Sequence, residues 1–159
     1  MKKYVLGFAF DEALHQVALI VKARPDWQAG KLNGLGGKIE QGETPLQAMA
    51  REFREEAGVP TTETEWKLFA LLQGQGFEVY VMRTALDDAR FGRLRSCTDE
   101  TVVAIPLDSP AIPRHALSNV PWLIALAQDA DCGRMVVTAQ YGAEGQNLAQ
   151  QVLNTFEPA

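Results

Sequence analysis

Runs of apolar, β-favouring residues separated by short polar turns predict most of the secondary structure of this chain. Residues 4–10 and 16–23 are two such runs, and the polar pair Asp11–Glu12 between them indicates a β-hairpin buried in the core. Further strands are predicted at residues 32–39, 66–73, 77–84, 101–107 and 133–141, and a helix at residues 121–129. Residues 24–30, 87–99 and 110–114 are predicted to be loops, and no element is predicted from residue 142 onward.

Residues 45–57 carry the clearest helical pattern. Thr44 is the expected N-cap, Pro45 occupies the first helical position, and Gln47 can complete a capping box. Gly58 is the expected left-handed C-cap. The buried stripe is predicted from apolar residues at helical spacing, namely Leu46, Met49, Ala50, Phe53 and Ala57. Hairpins interleaved with helices predict an α/β fold, a mixed sheet with helices on both faces.

Three glutamates lie on one side of this helix, beside the apolar stripe. At about 100° per residue, Glu52, Glu55 and Glu56 fall within an arc of roughly 100°. Such close carboxylates repel one another unless a cation neutralises them, and oxygen-only ligands suit Mg²⁺ or Mn²⁺. Arg51 lies four residues before Glu55 and can also reach back towards Glu43. The alternative interpretation is a solvated acidic helix face with ordinary ion pairs.

The segment GGKIEQGETPLQAMAREFREEAGV, residues 36–59, resembles the signature sequence of the Nudix hydrolases. The residues that carry the resemblance are Gly37, Glu43, Arg51, Glu52, Phe53, Glu55, Glu56, Gly58 and Val59. Every fixed polar position and glycine of the signature is filled, and Phe53 stands where an aliphatic residue is usual. A match of this length is specific, but it identifies the reaction class better than the substrate.

The resemblance implies a Nudix-type α/β/α sandwich with a mixed sheet. It also implies an enzyme that uses Mg²⁺, or Mn²⁺, and water to cleave a phosphoanhydride in a nucleoside diphosphate linked to another group. The metal ligands that it implies are Glu52, Glu55, Glu56 and the carbonyl of Gly37. Gly36 and Gly37 would let the main chain lie against the substrate, and Glu43 and Arg51 are interpreted as organisers of the loop–helix junction.

The general base is not identified by spacing. In this family the base lies either in the signature helix or on a later loop, and Glu100 is the later candidate in this chain. The alternative for Glu100 is a solvated loop acid. Arg24 and Lys38 are candidates to meet the substrate phosphates, with ordinary surface solvation as the alternative.

Substrate choice depends on residues outside the signature. The stretch WQAGKLNGLGGK resembles the corresponding stretch of oxidised-purine nucleoside triphosphatases, and on that match Asn33 would hydrogen-bond the base. The alternative for Asn33 is a turn residue beside Gly34. Trp27 either covers the base or anchors its loop in the core.

A second stretch, SNVPW at residues 118–122, resembles the segment before the second helix in the same enzymes. Those enzymes carry two acidic base-reading residues there, where this chain has Ser118 and Asn119. Asn119 is therefore a candidate base ligand as well as a candidate helix cap. Trp122 is a candidate to stack on the base, and a core position at the helix start is its alternative.

Composition narrows the class of protein. The chain has 159 residues, 47% of them hydrophobic, which suits one domain spanning residues 1–159. Its net charge of −5, with no basic tract, argues against binding to nucleic acid through phosphates. No apolar run approaches the ~20 residues of a membrane span. Cys97 and Cys132 lack metal-ligand spacing and are expected to be reduced thiols in a cytoplasmic protein.

The sequence therefore predicts a Mg²⁺-dependent hydrolase of a small-molecule nucleotide, acting as a monomer or homodimer. The first hypothesis is a nucleoside triphosphate pyrophosphohydrolase that acts on a modified or oxidised nucleotide such as 8-oxo-dGTP. A second is hydrolysis of another nucleoside diphosphate derivative, a dinucleoside polyphosphate or ADP-ribose. A third is a Nudix module that senses a nucleotide without cleaving it, although such modules tend to have damaged signatures.

Overall fold

The computed structural model describes residues 1–129, 131 and 136–156. Its seven strands are β1 (Lys2–Asp11), β2 (Gln16–Val21), β3 (Leu32–Asn33), β4 (Lys67–Gly74), β5 (Phe77–Leu86), β6 (Thr101–Pro106) and β7 (Val137–Gln140). Its helices are α1 (Pro45–Ala57), α2 (Asp88–Phe91), α3 (Ala111–His115), α4 (Val120–Gln128) and α5 (Ala143–Phe156), with a 3₁₀ turn at Glu63–Glu65. In the described part of the chain, no helix is long and apolar enough to cross a membrane.

The strands form one mixed sheet in the order β3-β2-β1-β5-β4-β7, with β6 paired to β2. The hairpins β1–β2 and β4–β5 are antiparallel, as the sequence predicts. The pairs β1–β5 and β4–β7 are parallel, and they join segments that are far apart in the chain. β1 and β3 pair with consecutive parts of β2 along one of its edges, at residues 17–18 and 20–21. β6 pairs with β2 along the other edge. The predicted mixed sheet is confirmed.

The sheet separates two apolar layers. On one face, α1 packs Met49 and Phe53 against the strands together with Trp66. On the other face, α4 packs Leu123 and Ile124 against Phe8 and other strand residues. These layers confirm the α/β/α arrangement, because each face of the sheet is covered by a different helix.

The ends of α1 follow the predicted local chemistry. The Thr44 hydroxyl accepts from the Gln47 N–H at 3.2 Å, and the Gln47 side chain accepts from the Thr44 N–H at 2.9 Å. At the other end Gly58 has φ 71° and donates its N–H to the Arg54 carbonyl. These caps satisfy terminal backbone groups without help from the rest of the fold, which is why the sequence reveals both boundaries.

Two predicted loops contain short helices, so those predictions were wrong in part. Within 87–99, Asp87 caps α2 by accepting from the Arg90 N–H at 2.9 Å. Within 110–114, α3 forms and buries Ile112 in the α4-side layer. Both helices are shorter than the window in which helical periodicity can be recognised.

The predicted strand at residues 32–39 is regular only at Leu32–Asn33, after which Leu35 and Lys38 form isolated bridges to β1. The predicted strand at 133–141 is β7, and residues 133–135 and Cys132 lie outside the described residues. The polar tail forms α5, whose apolar residues Leu148, Val152 and Leu153 are exposed. Cys97 is an exposed free thiol.

Gly36 and Gly37 let this irregular segment lie between β1 and α1. Gly36 has φ 151°, and a Cβ there would overlap the Val5 carbonyl oxygen of β1. A Cβ on Gly37 would lie 2.5 Å from the Glu52 carboxyl carbon of α1. The Val5 N–H donates to the Gly37 carbonyl at 2.9 Å, which holds the segment against the sheet. The glycines therefore set how closely the main chain approaches the glutamates.

We expect Gly36→Ala to destabilise the protein by about 3 kcal/mol, because the new Cβ must displace a strand backbone as well as adopt an unfavourable φ. Gly42→Ala is the matched control, since Gly42 also has positive φ, 85°, but open space around it. It should cost about 1 kcal/mol. Urea denaturation of both variants measures the difference, and equal losses would contradict the steric role of Gly36.

Candidate active site

Some of the predicted site residues line one pocket between the end of β2, the later turns of α1 and the loop before β6. Its lining residues are Lys22, Arg24, Glu52, Glu55, Glu56, Thr98, Asp99 and Glu100. Carboxylates and cations thus line the same pocket. Such a lining suits a polyanionic ligand bound together with a cation.

Arg51 is the centre of the carboxylate network. Its Nε and Nη2 donate to the two oxygens of Glu43 at 2.6 and 3.0 Å, and Nη2 also donates to the Lys38 carbonyl at 3.0 Å. Its Nη1 donates to Glu52 at 2.9 Å and to Glu55 at 3.2 Å. The Arg51 guanidinium lowers the pKa of Glu43 by hydrogen bonding. Arg51 therefore joins the glycine segment, the start of α1 and the candidate metal ligands.

Glu56 lies deepest among the three glutamates of the helix. It is half-buried, and one of its oxygens accepts from the Gly36 N–H at 2.9 Å. Burial raises its pKa to about 7, and the nearby Glu52 charge adds to the rise. Burial also raises the pKa of Glu52, although the hydrogen bond from Arg51 opposes that rise. A nearby cation would therefore stabilise the charged forms of both carboxyls.

Two cation–carboxylate pairs link the end of β2 to the loop before β6. Glu100 is 7% exposed, and its oxygens accept from Lys22 Nζ at 3.1 Å and from the Ala23 N–H at 3.0 Å. Arg24 and Asp99 form an exposed pair with a shortest distance of 2.6 Å. The burial of Glu100 removes the solvated-loop alternative for that residue.

Lys22 is a pocket residue that the sequence interpretation missed. It is a single lysine at the end of an apolar strand, and no local pattern distinguishes it from a surface lysine. Arg24 lines the pocket, as one of the two predicted phosphate contacts, whereas the Lys38 side chain is exposed outside that lining.

The donor set fits a divalent cation. Glu52, Glu55 and Glu56 line the pocket together, and hard cations such as Mg²⁺ and Mn²⁺ take carboxylate oxygens as ligands. Within residues 1–129, 131 and 136–156, no three carboxylate, imidazole or thiol groups converge closely enough to hold a metal by themselves. Arg51 and the Gly36 N–H engage these carboxylates instead, so a cation would have to share them with phosphate oxygens and water.

The candidate base-binding residues lie outside the pocket lining. Trp27 is 66% exposed in its loop and is not anchored in the core. The Asn33 Oδ1 accepts from the Gly34 N–H at 2.9 Å, as its turn alternative predicts. Trp122 is 36% exposed at the start of α4. Asn119 stands at the N-cap position but makes no capping hydrogen bond, so the prediction of a side-chain cap is wrong. Their roles towards a base stay predictions.

The raised pKa of Glu56 makes stability depend on pH. Metal-free folded protein keeps a proton that the unfolded chain loses above about pH 4.5, so this stabilisation is lost as pH rises towards 7. We expect the unfolding free energy in chelator to fall by about 2 kcal/mol between pH 5.5 and 8. Glu56→Gln should remove the Glu56 contribution to this slope, because an amide does not titrate, while its oxygen can still accept from Gly36. Glu12→Gln, in the exposed hairpin turn, should keep it.

Replacing Arg51 by lysine tests the network. Lysine cannot donate to Glu43, Glu52 and the Lys38 carbonyl together, so Arg51→Lys should cost about 2 kcal/mol of stability and lower turnover. Arg54→Lys, on the exposed face of the same helix, is the control and should change stability by less than about 0.5 kcal/mol. Equal melting temperatures for the two variants would contradict the organising role of Arg51.

Comparison with known proteins places these features in a family. A family model described as the NUDIX domain matches residues 2–123. An 8-oxo-dGTP diphosphatase of Escherichia coli (strain K12) is 41% identical over 59 residues, which are 37% of this chain and 44% of that protein. The chain thus matches less than half the length of that curated relative.

Solved structures agree in fold. A MutT structure from a study of the Aliivibrio salmonicida and Vibrio cholerae proteins has a TM-score of 0.64 at 23% identity, covering 78% of this chain and 97% of that one. A MutT protein of Bacillus halodurans has a TM-score of 0.65 at 17% identity, covering 91% and 92%. At these identities the likeness shows the fold alone. Because the domain match runs through most of the chain, including the signature helix and the whole pocket, this protein belongs to the Nudix family.

Proposed function

We propose that this Nudix protein is a Mg²⁺-dependent pyrophosphohydrolase that converts a nucleoside triphosphate into the monophosphate and pyrophosphate. The observation that carries the proposal is the pocket in which Glu52 and Glu56 face Lys22 and Arg24. A triphosphate needs cationic partners for its oxygens, and the hydrolysis needs anionic ligands for a metal. The pocket offers both kinds of group in one place.

The cations and the helix glutamates of the pocket have different roles in this proposal. Lys22 and Arg24 bind phosphate oxygens and orient the anhydride for in-line attack by water. Glu52, Glu55 and Glu56 would hold the cation, and the Gly37 carbonyl, which also accepts from the Val5 N–H, would be a further ligand. A divalent cation held there would supply positive charge beside the phosphates and would lower the pKa of a bound water. Arg51 and Glu43 fix the position of the helix relative to the glycine segment.

The contacts favour a positioning role for Glu100 over a role as general base. Both of its oxygens already accept hydrogen bonds, one from Lys22 and one from the Ala23 main chain. A base must have an oxygen free to take a proton from water. Glu56 is the stronger candidate, because the described residues engage only one of its oxygens, the acceptor of the Gly36 N–H.

We further propose a modified purine nucleotide, such as an 8-oxo-dGTP, as substrate. The support is the sequence match to a relative named 8-oxo-dGTP diphosphatase and the amide-bearing residues Asn33 and Asn119. A side-chain amide can both donate to and accept from a purine edge. The same metal site would also serve a dinucleoside polyphosphate or ADP-ribose, so the substrate requires a direct test.

The decisive experiment is hydrolysis of a nucleotide panel with and without Mg²⁺, resolving pyrophosphate from orthophosphate. The panel holds ordinary and oxidised deoxynucleoside triphosphates, ADP-ribose and a dinucleoside polyphosphate. Pyrophosphate release from one triphosphate supports the proposal. Cleavage of ADP-ribose or the dinucleotide alone overturns the substrate but keeps the metal site. Nucleotide binding without turnover on any member would identify a sensing module.

Neutral replacement of the helix glutamates should separate binding from turnover. Glu56→Gln and Glu52→Gln each remove one charged oxygen ligand, and we expect kcat to fall by about 100-fold or more while nucleotide binding persists. Glu12→Gln should leave kcat unchanged, because Glu12 is exposed in the hairpin turn. Steady-state kinetics at saturating Mg²⁺ give the comparison, and wild-type kcat in both helix variants would refute their assignment as metal ligands.

A further inference from the structure

Asn119 carries an unsatisfied polar atom at the start of α4. Its Nδ2 donates to the Tyr141 hydroxyl at 3.4 Å, whereas its Oδ1 is buried and has no hydrogen-bond partner among the described residues. Buried acceptors are nearly always paired in folded proteins, so an unpaired one calls for an explanation. A donor supplied by a ligand would satisfy this oxygen.

Tyr141 comes from the part of the chain that follows the matched domain. It lies directly after β7, and its N–H donates to the Gln73 carbonyl at 2.7 Å, which extends the pairing of β7 with β4. Its ring packs 6.4 Å from the Phe77 ring and belongs to the α4-side layer. Residues 2–123 form the domain match, so this contact to Asn119 is made by a later segment.

The contact with Tyr141 orients the Asn119 amide. A side-chain amide has donors on its nitrogen and an acceptor on its oxygen, at opposite ends of one plane. In the structure the Tyr141 hydroxyl accepts from the nitrogen, and the oxygen lies at the end of the amide that points away from Tyr141. Rotation by 180° would exchange the two ends and present donors where the acceptor now lies.

We propose that Tyr141 is a positioning residue that holds Asn119 with Oδ1 as a free acceptor for an N–H of the substrate base. This inference rests on the proposed function, in which Asn119 binds the base, and adds the segment after residue 136 to the specificity site. The ligand class is a nucleotide whose base edge carries an N–H, such as the ring imide or exocyclic amine of a purine.

Tyr141→Phe tests the inference because it removes the hydroxyl and keeps the ring against Phe77. We expect Tyr141→Phe to raise the Kd of guanosine or adenosine monophosphate, whichever the wild type binds, about 5- to 10-fold in titration calorimetry. For the triphosphate that the nucleotide panel identifies as substrate, the KM of Tyr141→Phe should rise similarly and its kcat should stay within about twofold of the wild type. Tyr80→Phe is the matched control, since Tyr80 is also half-buried and donates its hydroxyl to Glu78 at 3.1 Å. It should leave both values unchanged.

Two further comparisons separate positioning from a structural effect. Purine riboside monophosphate has no N–H on its base, so Tyr141→Phe should not change its Kd. In an Asn119→Ala background, Tyr141→Phe should have no further effect on Kd, because the residue acts through Asn119. Equal weakening for all bases, additive effects in the double variant, or wild-type Kd in Tyr141→Phe would each overturn the inference.

The two proposals fail in distinguishable ways. Binding that follows these expectations without hydrolysis of any nucleotide would refute the pyrophosphohydrolase and retain the role of Tyr141. Hydrolysis of a triphosphate with wild-type KM in Tyr141→Phe would retain the enzyme and refute that role. A protein that binds no nucleotide would refute both.

Discussion

Repulsion among carboxylates is the constraint around which this pocket is built. Glu52, Glu55 and Glu56 share one side of α1, and Glu100 approaches them from the loop before β6. Partial burial strengthens the repulsion, since water screens it less. Three cations oppose it: Arg51 from within the helix, and Lys22 and Arg24 from the end of β2. Burial, with a further contribution from the Glu52 charge, raises the pKa of Glu56 to about 7, so added positive charge would stabilise the site.

Arg51 does more than offset this charge. Its five donors reach Glu43, Glu52, Glu55 and the Lys38 carbonyl, so one planar group spans the start of α1, its later turns and the glycine segment. A lysine could not make these contacts at once. The glycine segment can lie there because Gly36 and Gly37 have no side chains, and Val5 of β1 holds it by a main-chain hydrogen bond. The sheet and the signature helix thus position each other through this segment.

The segment after the matched domain is integrated into the sheet as well. β7 extends the sheet by pairing parallel to β4, and Tyr141 then reaches the start of α4. Asn119 consequently has one amide end engaged and the other buried without a partner. Through this contact, a sheet edge that is remote from the carboxylate pocket bears on the proposed recognition of the base.

Local chemistry made α1 and its carboxylate arc predictable from the sequence. A cap, a left-handed glycine and a helical stripe depend on neighbours within a turn or two, so their residues alone determine them. The two hairpins were predictable for the same reason. The parallel pairing of β1 with β5 joins residues 2–11 to residues 77–86, and no local pattern encodes it. Lys22, buried Glu100 and Tyr141 acquire their roles only from such long-range contacts. Tertiary structure therefore decided which cations face the glutamates and how Asn119 is oriented, because those choices depend on distances between segments far apart in the chain.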